Sequence, residues 1–587
     1  MLFVLGVEAV RFKTTKFCSF PDIAYFARRE NHQRSLIYIF LKISMSHISL
    51  MQRWVILPGC LVARGLGQAL LLSVLLPMSG ASAQTISPAV NDLPPIPPLA
   101  CGSDNPVLQW RQTYQMAHRA KQQQLQAAMT APSDAIVITP GTSIQAIVDQ
   151  SPPGTAFLLK AGTHRMQGIQ PKTGMKFFGE IINGERRTVL NGSRLLTQFS
   201  PSSRIYAARN LPATGQTVGQ MKSGFARGAY SQDLLINQVP MRHVSRKGDV
   251  KPGTWFYDYG TQTVFIGDNP AGKTVELTTT PIAFAPTAAD VTVANLVIEK
   301  YANPAQIAAI GGGREAGLGI ARNWVVQGNE VRLNHGVGLR VQDGGRAIGN
   351  YVHRNGQMGV AANGLGALLE YNEVANNNFA KFDPGWEAGG SKFAFTTDLV
   401  TRRNLLYGND GPGLWTDIDN RNTEHAENVI YNNTSSGIFH EISYAATIRD
   451  NYVANNGRDT TAWLYGSNIL VSTSQDVVVR NNTIEVSAGF GNGIGVIWQS
   501  RGTQYSGERN QVTGNTIRYH GAAGRSGVAT DVAAAQSVFV SNQMNGNRYY
   551  VPQANVGYRY EWQNQQVRFA QLRNFGQEAI GQETFCP

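Results

Sequence analysis

The segment RNLLYGNDGPGLWTDIDNRNTEHAENVIYNNTSSGIFHEIS (403–443) contains one pattern twice, and this pattern decides the fold. In each copy an asparagine precedes a short apolar run, a second asparagine closes the turn, and a glycine opens a further strand. Similar copies occur from about residue 284 to residue 545. The leading asparagines are Asn329, Asn350, Asn372, Asn404, Asn428, Asn451, Asn482 and Asn515.

The spacing of these asparagines predicts a β-solenoid. Most are 21–24 residues apart, and three gaps are longer, at 31–33 residues. A repeat of 21–24 residues fits one coil of a three-sheet, right-handed parallel β-helix. Asparagines at the same corner of successive coils can form an amide ladder, and glycine and asparagine suit the corner turns. The longer gaps predict loops that project from the solenoid around one stretch of coils, as the walls of a cleft would.

The rest of the chain is organised around this repeat. An apolar helix over 143–150 is expected to cover the open end of the solenoid, and the segment WFYDYGTQTVFIGDNPAGKTVEL (255–277) indicates a hairpin-rich insertion with Asp258 and Gly260 at turns. We therefore expect an all-β protein with these parts: a Pro-rich linker and a helix (84–134, the helix over 104–130), an N-terminal cap and first coils (135–195), an inserted β subdomain (196–283), the main β-helix (284–545) and a C-terminal tail (546–587).

The N-terminal region has the pattern of an export signal. A short basic start from Met51 is followed by an apolar run over 69–78 and by Ala-Ser-Ala at 81–83. A basic start, a short apolar run and an A-x-A site are typical of a secretory signal, and the run is short for a membrane span. We expect a signal peptide over 51–83, a periplasmic or extracellular protein, and an over-called start in residues 1–50.

The cysteine content agrees with export, and the charge bears on the class of partner. Beyond residue 83 the cysteines are Cys101 and Cys586, and a pair in an oxidising compartment predicts one disulfide between the chain ends, with two free thiols as the alternative. The formal net charge is +12, and residues 1–83 contain nine Lys/Arg against three Asp/Glu. The remaining excess of basic residues suits an anionic glycan or an ordinary solvated surface. Basic residues interleaved with aromatics, as in nucleic-acid binding, are absent from the sequence.

Two carboxylates are predicted to stack on the outside of the solenoid. Aligning GLWTD (413–417) with GIFHE (437–441) pairs Asp417 with Glu441, one coil apart. Strand side chains alternate between faces, and parallel neighbours lie about 4.7–4.9 Å apart. Because like charges at this distance raise the pKa of one group, the pair predicts one acid and one base near neutral pH. A retaining glycosidase needs such a pair; two solvated acids or a calcium site are the alternatives.

The block GLWTDIDN (413–420), followed one coil later by GIFHEIS (437–443), resembles a block of β-helical glycoside hydrolases such as the β-helical β-xylosidase family. The resemblance implies that Asp417 is the nucleophile and Glu441 the acid/base. The inserted β segment is also similar to a subdomain of such enzymes. Thr416 and the Ile-Ser-Tyr run after Glu441 depart from the commoner forms, so the resemblance does not extend to the substrate.

Further residues are candidates for substrate binding, and some have a second interpretation. His440 is on the inward phase and could orient Glu441, whereas Asp419 and Asn420 offer oxygen ligands for calcium, the one cofactor considered. The predicted substrate-binding residues are Trp415, Phe439, His440, Lys392, Glu387 and Arg340, with Glu387 and Lys392 placed in the loop before the Asp417 coil.

Two other functions remain open at this point. A polysaccharide lyase acting on a uronate needs a base, such as Lys392, and charge neutralisation of the substrate carboxylate by Arg340 or calcium. A glycan-binding surface protein would show no turnover. A glycoside hydrolase, a lyase and a binding module all predict a polysaccharide or oligosaccharide partner.

Overall fold

The structure is a computed structural model, and it describes residues 93–102, 105–215, 217–459, 463–531, 535–552 and 557–586. The expected signal peptide over 51–83, the residues before it and the first part of the expected linker lie outside the described residues. Within the described ranges, none of the helices has the length and apolar character needed to cross a membrane.

Three long sheets wind into a parallel β-helix, as the repeat predicts. The first contains Ile136–Ile138, Ala156–Leu159, Lys176–Gly179, Thr292–Ala294, Val325–Gln327, Arg346–Ile348, Leu368–Glu370, Val400–Arg402, Thr423–Ala426, Ala446–Arg449, Val477–Arg480, Gln511–Thr513 and Gln543–Asn545. The second contains Gly162–Arg165, Thr188–Asn191, Val297–Glu299, Glu330–Arg332, Tyr351–His353, Glu373–Ala375, Leu405–Tyr407, Val429–Tyr431, Tyr452–Ala454, Thr483–Val486, Thr516–Tyr519, Arg548–Pro552 and Gln582–Cys586.

The third sheet has eleven strands and is the one that contains Asp417 and Glu441. Its strands are β1 (Ala308–Ile310), β2 (Val337–Val341), β3 (Met358–Leu365), β4 (Gly389–Thr397), β5 (Leu414–Asp417), β6 (Ile438–Glu441), β7 (Ser467–Ser472), β8 (Asn492–Trp498), β9 (Ser526–Thr530), β10 (Tyr560–Trp562) and β11 (Gln565–Val567). The strands from β1 to β10 pair in parallel, and β10 pairs antiparallel with β11.

An asparagine ladder joins successive coils, as the spacing predicts. The side-chain nitrogen of Asn329 donates to the side-chain oxygen of Asn350, and the same contact recurs from coil to coil through Asn515 at 2.9–3.1 Å. A second ladder runs from Asn334 through Asn355 and Asn377 to Asn468. Each buried amide also bonds backbone groups, so both ladders satisfy polar groups that the corner turns would otherwise leave unpaired.

The two ends of the solenoid are closed by apolar side chains. A helix over Ile144–Gln150 is capped by Ser143 and places Ile144 and Val148, both fully buried, against the first coils. At the other end, a helix over Phe569–Asn574 buries Leu572. The solenoid continues to Cys586, beyond the boundary at residue 545 that we expected, because Tyr549, Tyr560 and Trp562 extend its core. Short helices also occur at Arg314–Gly317, Pro384–Glu387 and Gln536–Ser541.

The expected insertion forms a β subdomain with its own core around Trp255 and Tyr257. One sheet has five strands, over Ser200–Ser202, Ile205–Ala208, Arg242–His243, Thr254–Asp258 and Thr263–Ile266; another has four, over Ser193–Leu195, Leu234–Ile236, Val239–Pro240 and Val275–Thr278. A two-stranded sheet pairs Ile181–Ile182 with Glu185–Arg186. The subdomain contacts the projecting loop at 379–388 through a bridge between Met221 and Phe382.

The N-terminal helix, Asn105–Ala127, lies along the outside of the second sheet. His118 donates to the backbone oxygen of Arg403, and Gln122 donates to that of Tyr371. The segment at 93–102 packs Leu99 against this surface, and Cys101 forms a disulfide with Cys586. The helix and this segment therefore lie along the surface of the solenoid, and the disulfide that we expected joins Cys101 to Cys586.

Candidate functional site

Asp417 and Glu441 are direct register partners in β5 and β6. Leu414 and Ile438, three residues earlier in the same strands, are buried in the core, so alternation places the two carboxylates on the outer face. This is the stacking that the sequence alignment predicts. The pair lies in a recess, because Asp417 is 6% exposed and Glu441 is 7% exposed.

Each carboxylate has its own cation. The Lys392 Nζ lies 2.8 Å from Asp417 Oδ2, and the Arg501 Nη1 donates to Glu441 Oε1 at 2.8 Å. Trp415 Nε1 donates to Glu441 Oε2 at 3.3 Å. The remaining oxygen, Asp417 Oδ1, is buried and accepts no hydrogen bond from the described residues. A buried carboxylate oxygen without a hydrogen-bond partner is unfavourable in a folded protein. This oxygen is therefore available to form a bond with a ligand.

The surroundings of the two acids favour a proton on Glu441. Burial raises the pKa of Glu441, the negative charge of Asp417 raises it further, and Arg501 only partly opposes both effects. Burial also raises the pKa of Asp417, but there the next largest influence is Lys392, which lowers it. Because the repulsion of a shared site is relieved by one proton, Glu441 is the member of the pair that binds a proton more readily.

The aromatic residues form a wall beside the acids. The rings of Trp415 and Phe439 stack with centroids 5.6 Å apart, and the Lys392 Nζ lies 4.3 Å from the Trp415 ring centroid. Trp415 is only 4% exposed. Its ring is therefore covered by neighbours, although we predicted that Trp415 binds substrate. Its indole N–H donates to Glu441, and Phe439 is the more accessible of the two rings.

His440 is not on the substrate side, and our prediction that it binds substrate is wrong. Its ring is fully buried inside the solenoid. The Nδ1 atom lies 2.7 Å from Thr416 Oγ1 and the Nε2 atom lies 2.8 Å from the backbone oxygen of Tyr444. Burial lowers the pKa of His440 to about 4, so the ring is a neutral, hydrogen-bonded core residue. The ring is buried because the alternation of side chains along β6 points residue 440 into the solenoid.

The other predicted residues line one side of the acid pair. Lys392 belongs to β4 and not to the preceding loop, because the strand begins at Gly389. Glu387 ends the short helix Pro384–Glu387, with its Oε2 3.4 Å from Lys392 Nζ. Arg340 is on β2 and, with Glu387 and Lys392, lines a cavity of about 440 Å³.

Arg501 contacts Glu441 directly, Tyr465 lies near it, and sequence reasoning missed both residues. Arg501 follows β8 in the long gap before residue 511, and the negative charge of Glu441 is among the influences that raise the pKa of the Tyr465 phenol, after burial. The long gaps pointed to walls around this stretch, but gap length does not say which side chain of a loop faces inward.

The oxygens considered for calcium are engaged with the protein. Asp419 Oδ1 accepts from the Tyr505 hydroxyl at 3.0 Å, and Asn420 Oδ1 accepts from the backbone nitrogen of Thr396 at 3.2 Å. Across the described residues, no group of three or more His, Cys, Asp or Glu side chains is arranged to hold a metal ion.

Comparison with known proteins identifies the solenoid. Residues 316–484 match the family described as right handed beta helix region. The chain contains a right-handed β-helix. The match confirms the handedness expected for the repeat and covers β2 to β7, including both carboxylates. No curated protein matches the chain.

Solved structures with similar folds are distant in sequence. XylC, solved with xylose, is 12% identical, with 70% of this chain and 80% of XylC covered and a TM-score of 0.45. The A-module of the Azotobacter vinelandii mannuronan C-5 epimerase AlgE6 is 15% identical, with 72% and 92% covered and a TM-score of 0.40. Pectate lyase Pel9A is 12% identical, with 73% and 77% covered and a TM-score of 0.26.

Proposed function

We propose that this β-helix protein is a carbohydrate-active enzyme and that it hydrolyses glycosidic bonds with Asp417 and Glu441. The observation that supports this most is the stacked pair in two different environments, with Lys392 on Asp417 and with Trp415 and Arg501 on Glu441. Two carboxylates that divide the roles of base and acid are what glycoside hydrolysis requires.

A retaining mechanism follows from the proposed protonation states. Asp417, ionised and with Oδ1 unpaired, attacks the anomeric carbon while neutral Glu441 gives its proton to the departing oxygen. Glu441 then takes a proton from water, which attacks the same carbon and releases Asp417. The stacked geometry favours retention because inverting enzymes keep their carboxyl groups about 6.5–9.5 Å apart to admit a water.

Isosteric variants test this proposal. Asp417→Asn and Glu441→Gln are compared with wild type on aryl glycosides and on plant and bacterial polysaccharides, with reducing ends as the readout. We expect Asp417→Asn to lose turnover of every substrate. Removing a general acid costs about 10²–10⁴-fold, so Glu441→Gln should lose that much on substrates with poor leaving groups and little on activated aryl glycosides.

A control separates the chemistry from charge removal in general. Glu424→Gln alters a carboxylate that pairs with Arg449 on the first sheet, away from the site, and should keep wild-type rates. If the Asp417 and Glu441 variants retain wild-type rates on a substrate that the wild type cleaves, the proposed roles are wrong. If no glycan is turned over, the glycan-binding alternative becomes the better explanation.

A polysaccharide lyase is the second candidate, and the cations beside the acids favour it. Lys392 and Arg501 each lie 2.8 Å from a carboxylate, and β-elimination from a uronate needs a base and positive charge near the substrate carboxylate. The same incubations distinguish the two reactions. A lyase gives an unsaturated product that absorbs in the ultraviolet, whereas a hydrolase gives reducing ends without that absorbance.

We also propose that the protein is exported. The signal pattern over 51–83 and the disulfide between Cys101 and Cys586 support an oxidising compartment. N-terminal sequencing of the protein secreted by a bacterial host tests this, with Gln84 as the expected first residue. Retention of the full-length chain in the cytoplasm would contradict it.

A further inference from the structure

Arg340 is a buried cation without a carboxylate partner. It is 6% exposed, and its guanidinium donates to the backbone oxygens of Gly312 (3.2 Å) and Gln306 (3.0 Å) and to the side-chain oxygen of Asn363. All three acceptors are neutral. Among the described residues, none contributes a carboxylate oxygen within 4.0 Å of this guanidinium.

The other charges that line the same cavity are already paired. Arg314 lies 3.1 Å from Glu315, and Lys392 lies 3.4 Å from Glu387 and 2.8 Å from Asp417. Burial lowers the pKa of Arg340 to about 10, so it remains protonated at neutral pH. A buried charge without a contacting partner is unfavourable, and Arg340 is the cation lining this cavity that no carboxylate of the described residues contacts, although the charge of Glu387 acts on it from a greater distance.

The cavity also has an aromatic rim. Phe395 is 39% exposed, with the Arg314 guanidinium 4.0 Å from its ring centroid. Its φ of 56° places it in the left-handed region, which a bulky residue adopts only where the surrounding structure imposes it. The register between β3 and β4 shifts in the interval that contains it, between Phe393 and Thr396. The result is an exposed ring beside the Arg314 guanidinium, in a cavity that Arg340 also lines, a combination that suits a sugar with a negative charge.

The cavity lies beside the acid pair but not on it. Arg340 pairs with Ala361, Ala361 pairs with Lys392, and Lys392 precedes the partner of Thr416. Three strand spacings separate Arg340 from β5, which is roughly 14 Å. This is the separation of the backbones, and it allows a group bound at Arg340 to belong to a different unit of the oligosaccharide from the sugar that reacts.

We propose that this cavity is a subsite for a uronate unit, whose carboxylate pairs with Arg340 while a different unit of the chain occupies the Asp417–Glu441 site. The inference rests on the proposed function for the nature of the polymer, but anion binding at Arg340 requires no turnover. It assigns the substrate class as an acidic glycan and Arg340 as the residue that selects it.

Binding measured without turnover tests the subsite. Hexasaccharides of galacturonate, glucuronate and mannuronate, and their carboxyl-reduced counterparts, are titrated calorimetrically into the Glu441→Gln protein. We expect at least one uronate series to bind at least 10-fold more tightly than its reduced counterpart. Adding Arg340→Gln should weaken uronate binding at least 10-fold and leave the reduced sugar unchanged. Arg402→Gln, on the first sheet, is the matched control and should change neither.

Two further variants keep the test decisive if Arg340→Gln does not fold. Arg340→Lys retains the charge without the planar fork and should weaken uronate binding by a smaller factor. Arg314→Gln, at the rim with a 34% exposed side chain, should weaken it a few-fold. Equal affinity for charged and reduced sugars, or no binding of any uronate, overturns the proposal. Tight binding of a sulfated neutral oligosaccharide alone overturns it in favour of sulfate.

The outcomes also separate this inference from the proposed function. Uronate selectivity at Arg340 with no turnover of any glycan would remove the enzyme and leave the subsite. Turnover that depends on Asp417 and Glu441, with no preference for charged substrates, would leave the enzyme and remove the subsite.

Discussion

Replacing Lys392 by methionine should destabilise the coils around the site far more than removing a surface lysine. The side chains of Lys392 and Asp417 are each 9% exposed, and the ammonium also lies 3.4 Å from Glu387 and 4.3 Å from the Trp415 ring. Methionine keeps the volume but leaves two carboxylates without their cation. Removing one partner of a buried pair costs about 3–5 kcal/mol, and the lost cation–π contact adds about 1 kcal/mol.

Hydrogen exchange followed by mass spectrometry is the suitable assay, because solenoid stability is local to neighbouring repeats. A loss of 3–5 kcal/mol corresponds to exchange faster by roughly 100- to 1000-fold or more in peptides covering β4 and β5. Lys381→Met is the matched control. Lys381 is 40% exposed, and its partner Asp410 is also held by Lys222, so the expected cost is about 0–1 kcal/mol.

The pH dependence of this difference checks its cause. The titrating part of the penalty in Lys392→Met comes from ionised Asp417, and burial raises the pKa of Asp417 even in the wild type. Protonation removes the uncompensated charge, so the difference between variant and wild type should shrink as the pH falls. Equal exchange in Lys392→Met and Lys381→Met, or a difference that does not change with pH, would refute the reasoning.

Three further predictions concern the acid pair, the ladder and the buried histidines. The profile of kcat/KM against pH should be bell-shaped, and its alkaline limb, set by the raised pKa of Glu441, should disappear in Glu441→Gln assayed on an activated aryl glycoside. Asn404→Ala should destabilise the protein by roughly 2–5 kcal/mol in thermal unfolding, because it leaves the buried Asn372 N–H and Leu369 carbonyl unpaired. A loss below about 1 kcal/mol would show that the asparagine ladder does not stabilise the fold. Burial lowers the pKa of His118 and His440 to about 4 and that of His425 to about 3. Below the ordinary histidine pKa the unfolded chain therefore binds more protons than the folded one, and each of these histidines should lower the free energy of unfolding as the pH falls from about 6.5 towards 4. Replacing His440 with glutamine should make this loss of stability with pH less steep, and an unchanged pH dependence would contradict a buried, neutral His440.

The repeat made the fold and the pairing of the acids predictable from sequence. The asparagine spacing defines the coil, and once GLWTD is aligned with GIFHE the alternation of a strand determines which side chains face outward. The same alternation places His440 inside the solenoid, where it cannot contact a substrate bound on the outer face.

The contacts that tune the acids could not be predicted in the same way. Arg501 reaches Glu441 from a loop whose path depends on packing across several coils, and loop residues have no periodicity to indicate their direction. The burial of Trp415 depends on Lys392, one coil earlier, and on Phe439, one coil later. Register predicts that these three residues are neighbours, but not that the lysine lies over the indole.

A parallel solenoid explains why the acids and their cations come from different parts of the coil. In a row of outward residues, each strand contributes one side chain, and neighbours in the row are about 4.8 Å apart. Asp417 and Glu441 occupy neighbouring positions of one such row, and the strand that follows contributes Ser472, an uncharged residue, to it. Lys392 instead comes from the adjacent row, which also contains Arg340, and Arg501 comes from a loop. The row of Arg340 and Lys392 thus runs from the proposed uronate subsite to the acid pair. Removing the charge of Arg340 should change which substrate binds, whereas removing the charge of Lys392 should change the pKa of Asp417.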